Sequence, residues 1–471
     1  MKITNKRAAI IYALILAFVA GVVFFLVSLG VNGATWASNK VNRHIYSGGR
    51  IVNAGTIYDI NGKVLAKSEK NERVFAESAA VRKATLHVVG DTSGFIATGT
   101  HYLYRDILSG YSFVNGIYTL KSSGTGTDIT LNIDSEANKI AYEALGSHNG
   151  AVAVYNYKTG QLLCSVSKPT YDIKNKPSDL MTNEKYDGVF LDKVVSGIYT
   201  PGSVMKIVTA ACAIENIPDI YSRTFECDGK YETSDGTVIC NGVHGTVSFQ
   251  KAMNESCNCA FAEITLELGA DKLLATAESM GFNSKLYAKE VRLTKSRFSP
   301  SKTSKAERGW AGIGQSTTYI NPAHLLSIAG AIANGGEGYA PDRIKSTGTL
   351  SEIVGRLPST MVRIKPDTAA KLNDLLRSNV KDKYGDWKFE NLVMCGKTGT
   401  AQVDGAKSHS WFVGYSQRED LPLAVVCIAE NAGYGSFSKA RNPISSERLH
   451  ETTYTFTDTK GRTEDVEEEE K

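Results

Sequence analysis

The chain has 471 residues, of which 42% are hydrophobic, 22% charged and 9% aromatic, enough to bury large cores and too rich for a disordered or low-complexity protein. Its 53 Lys and Arg against 49 acidic residues leave a net charge of +4 over the whole length. That offers no dense cationic face and argues against nucleic acid as a partner. At about 150 residues per domain, the length points to two or three folded units.

The run from Ala8 to Val31 carries no charge and would form a helix of about 36 Å, against a hydrocarbon core of about 30 Å. Lys2, Lys6 and Arg7 precede it, so the positive-inside bias keeps residues 1–7 in the cytoplasm, with Lys40 and Arg43 as a weaker opposing pair. The alternative is a cleaved signal peptide, but Thr35-Trp36-Ala37 is a poor cleavage site after so long an apolar run. The membrane is thus an expected partner, with a single anchor at 8–31 and the remainder outside the cell.

Next comes a hairpin at Thr56–Ala66 turning on Asn61-Gly62, then a strand at Asp128–Ile133. A helix capped by Asp134 or Ser135 follows, with Ile140, Ala141, Ala144 and Leu145 on its apolar face. A strand at Ala151–Asn156, a turn at Lys158-Thr159-Gly160 and a return strand at Gln161–Ser167 open a new unit. Helical patterns at Ser203–Ile214, Asn258–Leu268, Pro322–Ala333 and Thr368–Ser378 follow, then strands at Val393–Val403, Trp411–Tyr415 and Ala424–Ile428. Helices in the middle and antiparallel strands at both sequence ends describe an α+β domain. The end of the chain is polar and closes on the like-charged block Glu467–Glu470, read as a disordered tail.

Of the eight cysteines, Cys164, Cys212, Cys259 and Cys427 lie in apolar runs and read as small buried hydrophobes. Cys227 and Cys240 flank a polar hairpin-like segment, where a disulfide and two free thiols are both open. There is no HExxH and no paired Cys-x-x-Cys, so neither a metal nor a cofactor is expected.

Ser203-Val204-Met205-Lys206 opens an apolar helix after Tyr199-Thr200-Pro201-Gly202. Spacing of i, i+3 puts Lys206 within reach of the Ser203 hydroxyl, at a helix start whose free N–H groups favour a developing oxyanion. The same Ser-x-x-Lys spacing recurs at Ser165, Ser248, Ser299, Ser378 and Ser436, so taken alone the motif at Ser203 reads more simply as a capping Ser with a solvated Lys. Two further elements single out Ser203. Ser256-Cys257-Asn258 begins an apolar helix, and Lys397-Thr398-Gly399-Thr400-Ala401 lies on a predicted strand. Ser147-His148-Asn149 repeats the first pattern and Lys158-Thr159-Gly160 the second, but Lys158 belongs to a hairpin turn whereas Lys397 is followed by more strand. The ordered trio Ser-x-x-Lys, Ser-x-Asn, Lys-Thr-Gly is the signature of serine enzymes that react with β-lactams.

With this trio the chain resembles the class B penicillin-binding proteins, peptidoglycan D,D-transpeptidases of the penicilloyl-serine transferase family. The likeness extends to Gly55–Gly62, Thr130–Asp134, Gly312-Ile313-Gly314-Gln315 and Trp411-Phe412-Val413-Gly414-Tyr415. Ile60 stands where the family usually has Arg, Asn321-Pro322 replaces Thr-Pro, and the membrane-proximal module is short. The resemblance implies an antiparallel sheet flanked by helices plus an all-helical subdomain, carried on a small mixed pedestal. The implied segments are a cytoplasmic stretch at 1–7, the anchor at 8–31, the pedestal at 32–147, a transpeptidase domain at 148–450 and the tail at 451–471.

The resemblance also implies roles. Ser203 would attack a D-Ala-D-Ala stem peptide of peptidoglycan, or a β-lactam, with neutral Lys206 as base and the second cation Lys397 helping to keep it neutral. Ser256 would relay the proton to the leaving group and Asn258 would orient Lys206. Lys397, Thr398, Gly399 and Thr400 would hold the substrate carboxylate, and the N–H groups of Ser203 and Thr400 would form the oxyanion hole. A SEDS-family glycan polymerase is the implied partner. The competing readings are a non-catalytic scaffold of a wall-synthesis complex and a membrane-bound protein that hydrolyses or senses β-lactams. A second, glycosyltransferase domain does not fit between anchor and Ser203.

Overall fold

The computed structural model describes residues 2–41, 45–48, 50–70, 72–112, 116–117, 126–347, 357–403 and 405–433. The expected tail at 451–471 and the last stretch of the expected transpeptidase domain lie outside these residues. Helix α1 (Lys2–Ala37) carries the apolar run. Its segment Lys6–Gly33, 28 residues whose apolar side chains are exposed and which contains an 18-residue stretch of mean hydropathy 3.0, is long and apolar enough to cross a membrane.

After α1 the site-bearing framework runs β1 (Ile57–Tyr58), β2 (Val64–Glu69), β3 (Glu72–Phe75), β4 (Ile129–Leu131), α2 (Ser135–Ala144), β5 (Gly150–Asn156) and β6 (Leu162–Lys168). It continues with α3 (Lys206–Asn216), α4 (Asn258–Ser279), α5 (Lys305–Gly312), α6 (Pro322–Ala333), β7 (Ile344–Ser346), α7 (Pro366–Ser378), β8 (Met394–Val403), β9 (Ala406–Ser416) and β10 (Leu423–Ala429). Each expected strand and helix is present. Asp134 is the cap of α2, its Oδ1 accepting from the N–H of Glu136 at 2.9 Å and of Ala137 at 3.1 Å. The expected end of α4 at Leu268 marks a true break: Gly269 has φ 76° and ψ 167°, after which the helix resumes to Ser279.

The main sheet has the order β6-β5-β10-β9-β8 and is antiparallel throughout. Both faces are covered, which is why β5 and β10 read as nearly continuous apolar runs. Alternate residues divide between two cores. Ala151, Ala153, Tyr155, Ala424, Val426 and Ile428 face the core shared with α3, α4 and α6, and Val152, Val154, Leu423 and Val425 face the one with Ile140 and Leu145 around α2. The helices between β6 and β8 in sequence bury their apolar residues in the first of these cores, giving the α+β arrangement expected.

A second sheet, β7-β4-β1-β2-β3, contains the predicted hairpin, whose turn is closed by Asp59 Oδ1 accepting from the N–H of Asn61 and Lys63. Its edge strand β7 comes from beyond α6. Asn132 Nδ2 donates to the carbonyls of Asp342 and Ile344 at 2.9 and 3.0 Å, and Arg343 pairs with Asp192 and donates to the Thr98 carbonyl. The sheet that holds the predicted hairpin therefore takes a strand from the chain's later half.

All eight cysteines are free thiols. Cys164, Cys212 and Cys259 are buried as expected, whereas Cys427 on β10 is only half-buried.

Helix α6 packs on β5 through Gly330: a Cβ there would fall 1.5 Å from the Tyr155 hydroxyl oxygen and 2.6 Å from its ring carbon. Tyr155 is fully buried and cannot swing aside. Gly330→Ala is predicted to lower the unfolding free energy by about 1–3 kcal/mol. Chemical denaturation in detergent checks this, and an unchanged midpoint would contradict the packing.

Candidate active site

Ser203 lies on a tight 3-10 turn, Gly202–Met205, that runs into α3. Three neighbours fix this turn. Tyr199 exchanges backbone hydrogen bonds with Ile320, Trp411 Nε1 donates to the Thr200 carbonyl at 3.0 Å, and Gly202 N–H donates to the Gly314 carbonyl at 2.8 Å. Gly202 has φ +56°, and a Cβ on it would fall 2.2 Å from the Thr400 carbonyl oxygen. Only glycine combines that conformation with so close an approach to β8.

One turn on, Lys206 Nζ lies 3.1 Å from Ser203 Oγ, 3.1 Å from Ser256 Oγ, 2.6 Å from the Ser256 carbonyl and 2.7 Å from Asn258 Oδ1. Ser256 sits between the short helix Phe249–Asn254 and α4 with φ 55°, a left-handed conformation uncommon for a residue with a side chain. That conformation aims both its carbonyl and its hydroxyl at the amine. Asn258 is oriented unambiguously, because its Nδ2 donates to the Ile239 carbonyl at 2.8 Å and leaves Oδ1 for Lys206.

Lys206 is fully buried, and its pKa is held well below that of a free lysine, first by burial and second by the charge of Lys397. The sequence put the second cation foremost; desolvation is the larger cause. A neutral amine has two N–H donors and one lone pair. The two partners that can only accept, the Ser256 carbonyl and Asn258 Oδ1, are also the nearest and take both donors. The lone pair is left for a hydroxyl, and Ser203 and Ser256 each present one at the same distance. Such an amine can receive a proton from one hydroxyl and pass it to the other.

Lys397, Thr398, Gly399 and Thr400 lie on β8, packed against the Ser203 turn. A Cβ on Gly399 would meet the Pro201 carbonyl oxygen and Val204 at 2.9 Å. Lys397 is fully buried, donates to the Thr398 carbonyl at 3.1 Å, and has its pKa lowered to about 7 by burial. The eight expected site residues thus come from the Ser203 turn and the start of α3, the Ser256 loop and the start of α4, and the strand β8.

The look-alike motifs lie apart from this cluster. Ser248 caps the helix Phe249–Asn254, Lys302 pairs with Asp271, and the Lys168 ammonium sits over the Tyr142 ring. Lys158 and Thr159 form a hairpin turn closed by Asn156. Ser436 lies outside the described residues.

Sequence reasoning missed Tyr384, whose hydroxyl lies 3.1 Å from Thr398 Oγ1 and accepts from the Thr398 N–H at 3.2 Å. It stands in a π-helical turn, Asn379–Tyr384, after α7, and only that local widening brings it to β8. No sequence signal marks it.

Residues 150–450 match the family described as the penicillin binding protein transpeptidase domain. Among curated proteins, the peptidoglycan D,D-transpeptidase PbpA of Mycolicibacterium smegmatis is 26% identical over 340 residues, 65% of this chain and 68% of that one. PbpA of Mycobacterium tuberculosis is 24% identical over 442 residues, 78% of this chain and 87% of that one. Among solved structures, the D,D-transpeptidase domain of a peptidoglycan glycosyltransferase from Eggerthella lenta superposes with a TM-score of 0.67 at 26% identity, covering 82% of this chain and 95% of that one. Penicillin-binding protein A from M. tuberculosis, solved as a penicillin G acyl-enzyme complex, superposes with a TM-score of 0.70 over 81% of this chain and 94% of that one; at 21% identity the likeness is one of fold.

The buried Lys397 carries a prediction for stability. Its pKa is about 7 folded against 10.5 for a free lysine, so between these values the unfolded chain binds a proton that the folded chain does not. Its burial therefore destabilises the fold fully below about pH 7 and not at all above about 10.5. The melting temperature of Lys397→Met relative to the parent should fall as pH rises through this window, and a pH-independent difference would contradict the shift.

Proposed function

The chain belongs to the penicillin-binding protein transpeptidase family as a class B member, and from that premise we propose that it is a peptidoglycan D,D-transpeptidase acting through a Ser203 acyl-enzyme. The observation that carries this reading is the buried Lys206 amine, with both N–H groups engaged and its lone pair open to the Ser203 hydroxyl. In the proposed reaction the Ser203 Oγ–H proton moves to Lys206 Nζ as Oγ bonds to the carbonyl carbon of the penultimate D-Ala. Negative charge on the carbonyl oxygen is met by the N–H groups of Ser203 and Thr400, donors held by the turn and by β8 before the substrate arrives. The C–N bond to the terminal D-Ala then breaks, and its nitrogen takes the proton from Lys206 by way of the Ser256 hydroxyl. An amine of a neighbouring strand attacks the ester, returns a proton to Ser203 and leaves the crosslink.

The substrate carboxylate belongs beside Lys397, Thr398, Gly399 and Thr400. A β-lactam, which carries a carboxylate and a strained acyl group, enters the same route and stops at the ester. The segment boundaries at 7, 31, 147 and 450 are retained as part of the reading. So are a cytoplasmic N-terminus, an external catalytic part and a SEDS-family polymerase partner engaged through the anchor.

Incubation with penicillin followed by peptide mapping should place the adduct on Ser203. Ser203→Ala should abolish it, and Lys206→Met should slow acylation by about 10²–10⁴-fold. An adduct on Ser165, Ser248, Ser299, Ser378 or Ser436 instead would overturn the assignment. For the anchor, replacing residues 8–31 by an unrelated spanning helix should leave acylation intact and reduce co-purification with the polymerase. Undiminished co-purification would reduce the anchor to a tether. Protease added to spheroplasts should digest the catalytic part, and full protection would refute the orientation.

A further inference from the structure

The strand Thr224–Cys227 pairs with Gly245–Ser248, and Lys230–Thr233 pairs with Gly236–Ile239. These are two-stranded ribbons, a form marginal on its own in water. Few of their side chains are buried: Phe225, Cys227, Val238 and Val247. What gathers at their joined ends is polar and sulfur-rich. The ligand atoms of Cys227, Cys240, His244 and Cys257 all lie within 4.8 Å of one another. His244 Nδ1 is 3.3 Å from Cys227 Sγ and 3.5 Å from Cys240 Sγ, and Cys240 Sγ is 3.9 Å from Cys257 Sγ.

We propose that Cys227, Cys240, His244 and Cys257 form a tetrahedral zinc site that pins the two ribbons to the start of α4. Zinc–sulfur bonds of about 2.3 Å in a tetrahedron put sulfurs about 3.8 Å apart, close to the 3.9 Å between Cys240 and Cys257. Three soft sulfurs and an imidazole select zinc over the hard cations, and four protein ligands leave no open position, the pattern of a structural site. On binding, the three thiols release their protons to solvent and the imidazole coordinates as the neutral form.

The outer contacts suit thiolates. Cys240 Sγ accepts from the Asn258 N–H at 3.1 Å, and Cys257, the cap of α4, accepts from the Ala260 N–H at 3.5 Å. The first of these matters beyond the metal. Cys257 is the middle residue of Ser256-Cys257-Asn258, and Ile239, whose carbonyl orients the Asn258 amide, immediately precedes Cys240. A metal holding Cys240 and Cys257 thus fixes the loop against which Lys206 rests. Cys227, Cys240, His244 and Cys257 are positioning residues in this account, and the metal site stands whether or not Ser203 is the nucleophile.

The test uses the full chain in detergent, purified without a metal-affinity tag. Elemental analysis should find about one zinc per chain. Exchange for cobalt(II) should give sulfur-to-metal charge transfer and the intense visible bands of a tetrahedral thiolate site. Cys227→Ser should lose the metal, His244→Cys should keep it with a shifted cobalt spectrum, and Cys427→Ser, outside the cluster, should change neither. Zinc at background in the parent chain would overturn the proposal, whether its mass shows three free thiols or a disulfide among them. So would an octahedral cobalt spectrum. These readouts on the parent chain and on His244→Cys hold even if Cys227→Ser fails to fold.

Discussion

An ammonium taken out of water costs several kcal/mol unless its charge is matched or removed, and the catalytic half of this protein is organised around one such amine. Lys206 is fully buried, and none of its four oxygen neighbours is a carboxylate. A carboxylate would have matched the charge and fixed the proton on nitrogen. Carbonyl and amide oxygens instead satisfy the N–H groups while leaving ionisation unfavourable, so the site keeps the amine neutral by withholding a carboxylate. The left-handed Ser256 and the doubly bonded Asn258 amide follow from this need. Each offers oxygen to nitrogen from a backbone or amide group that cannot itself titrate near neutrality.

The same constraint explains how closely the surrounding backbone is packed. An amine stays desolvated only if water is kept from it, and the Ser203 turn is pressed against β8 and the Gly314 segment at distances that exclude even a methyl group. Rigidity there has a second use. The N–H groups proposed to meet the oxyanion belong to the Ser203 turn and to β8, so the contact that dries the amine also sets the spacing of the donors.

Much of this was legible in the chain because it depends on local rules. Strands β5 and β10 announce themselves by unbroken apolar runs, Asn61-Gly62 by its turn chemistry, and Ser203 by opening an apolar helix in company with the other two motifs, whereas Ser165 is buried inside β6 and Ser248 only caps a short helix. Gly269 was legible as an end of helix, though not as a kink the helix survives. What stayed hidden depends on register between distant segments. Tyr384 reaches Thr398 only because α7 widens into a π turn. The convergence of Cys227, Cys240, His244 and Cys257 is invisible to spacing rules, since two ribbons must fold before the four ligands meet. The position of Cys257 inside a catalytic motif conceals it further.

The strand β7 has a consequence for how the protein is made. The chain is synthesised from its N-terminus, so β1 to β4 emerge well before Ile344–Ser346. Until then β4 presents an unpaired edge, and the Asn132 amide waits for carbonyls 210 residues and more away. That sheet cannot be completed first and used as a platform on which the rest assembles; it is closed by a strand from beyond α6. A chain truncated between the two halves leaves an open, adhesive sheet, and the vulnerable interval in its making ends only once β7 has docked.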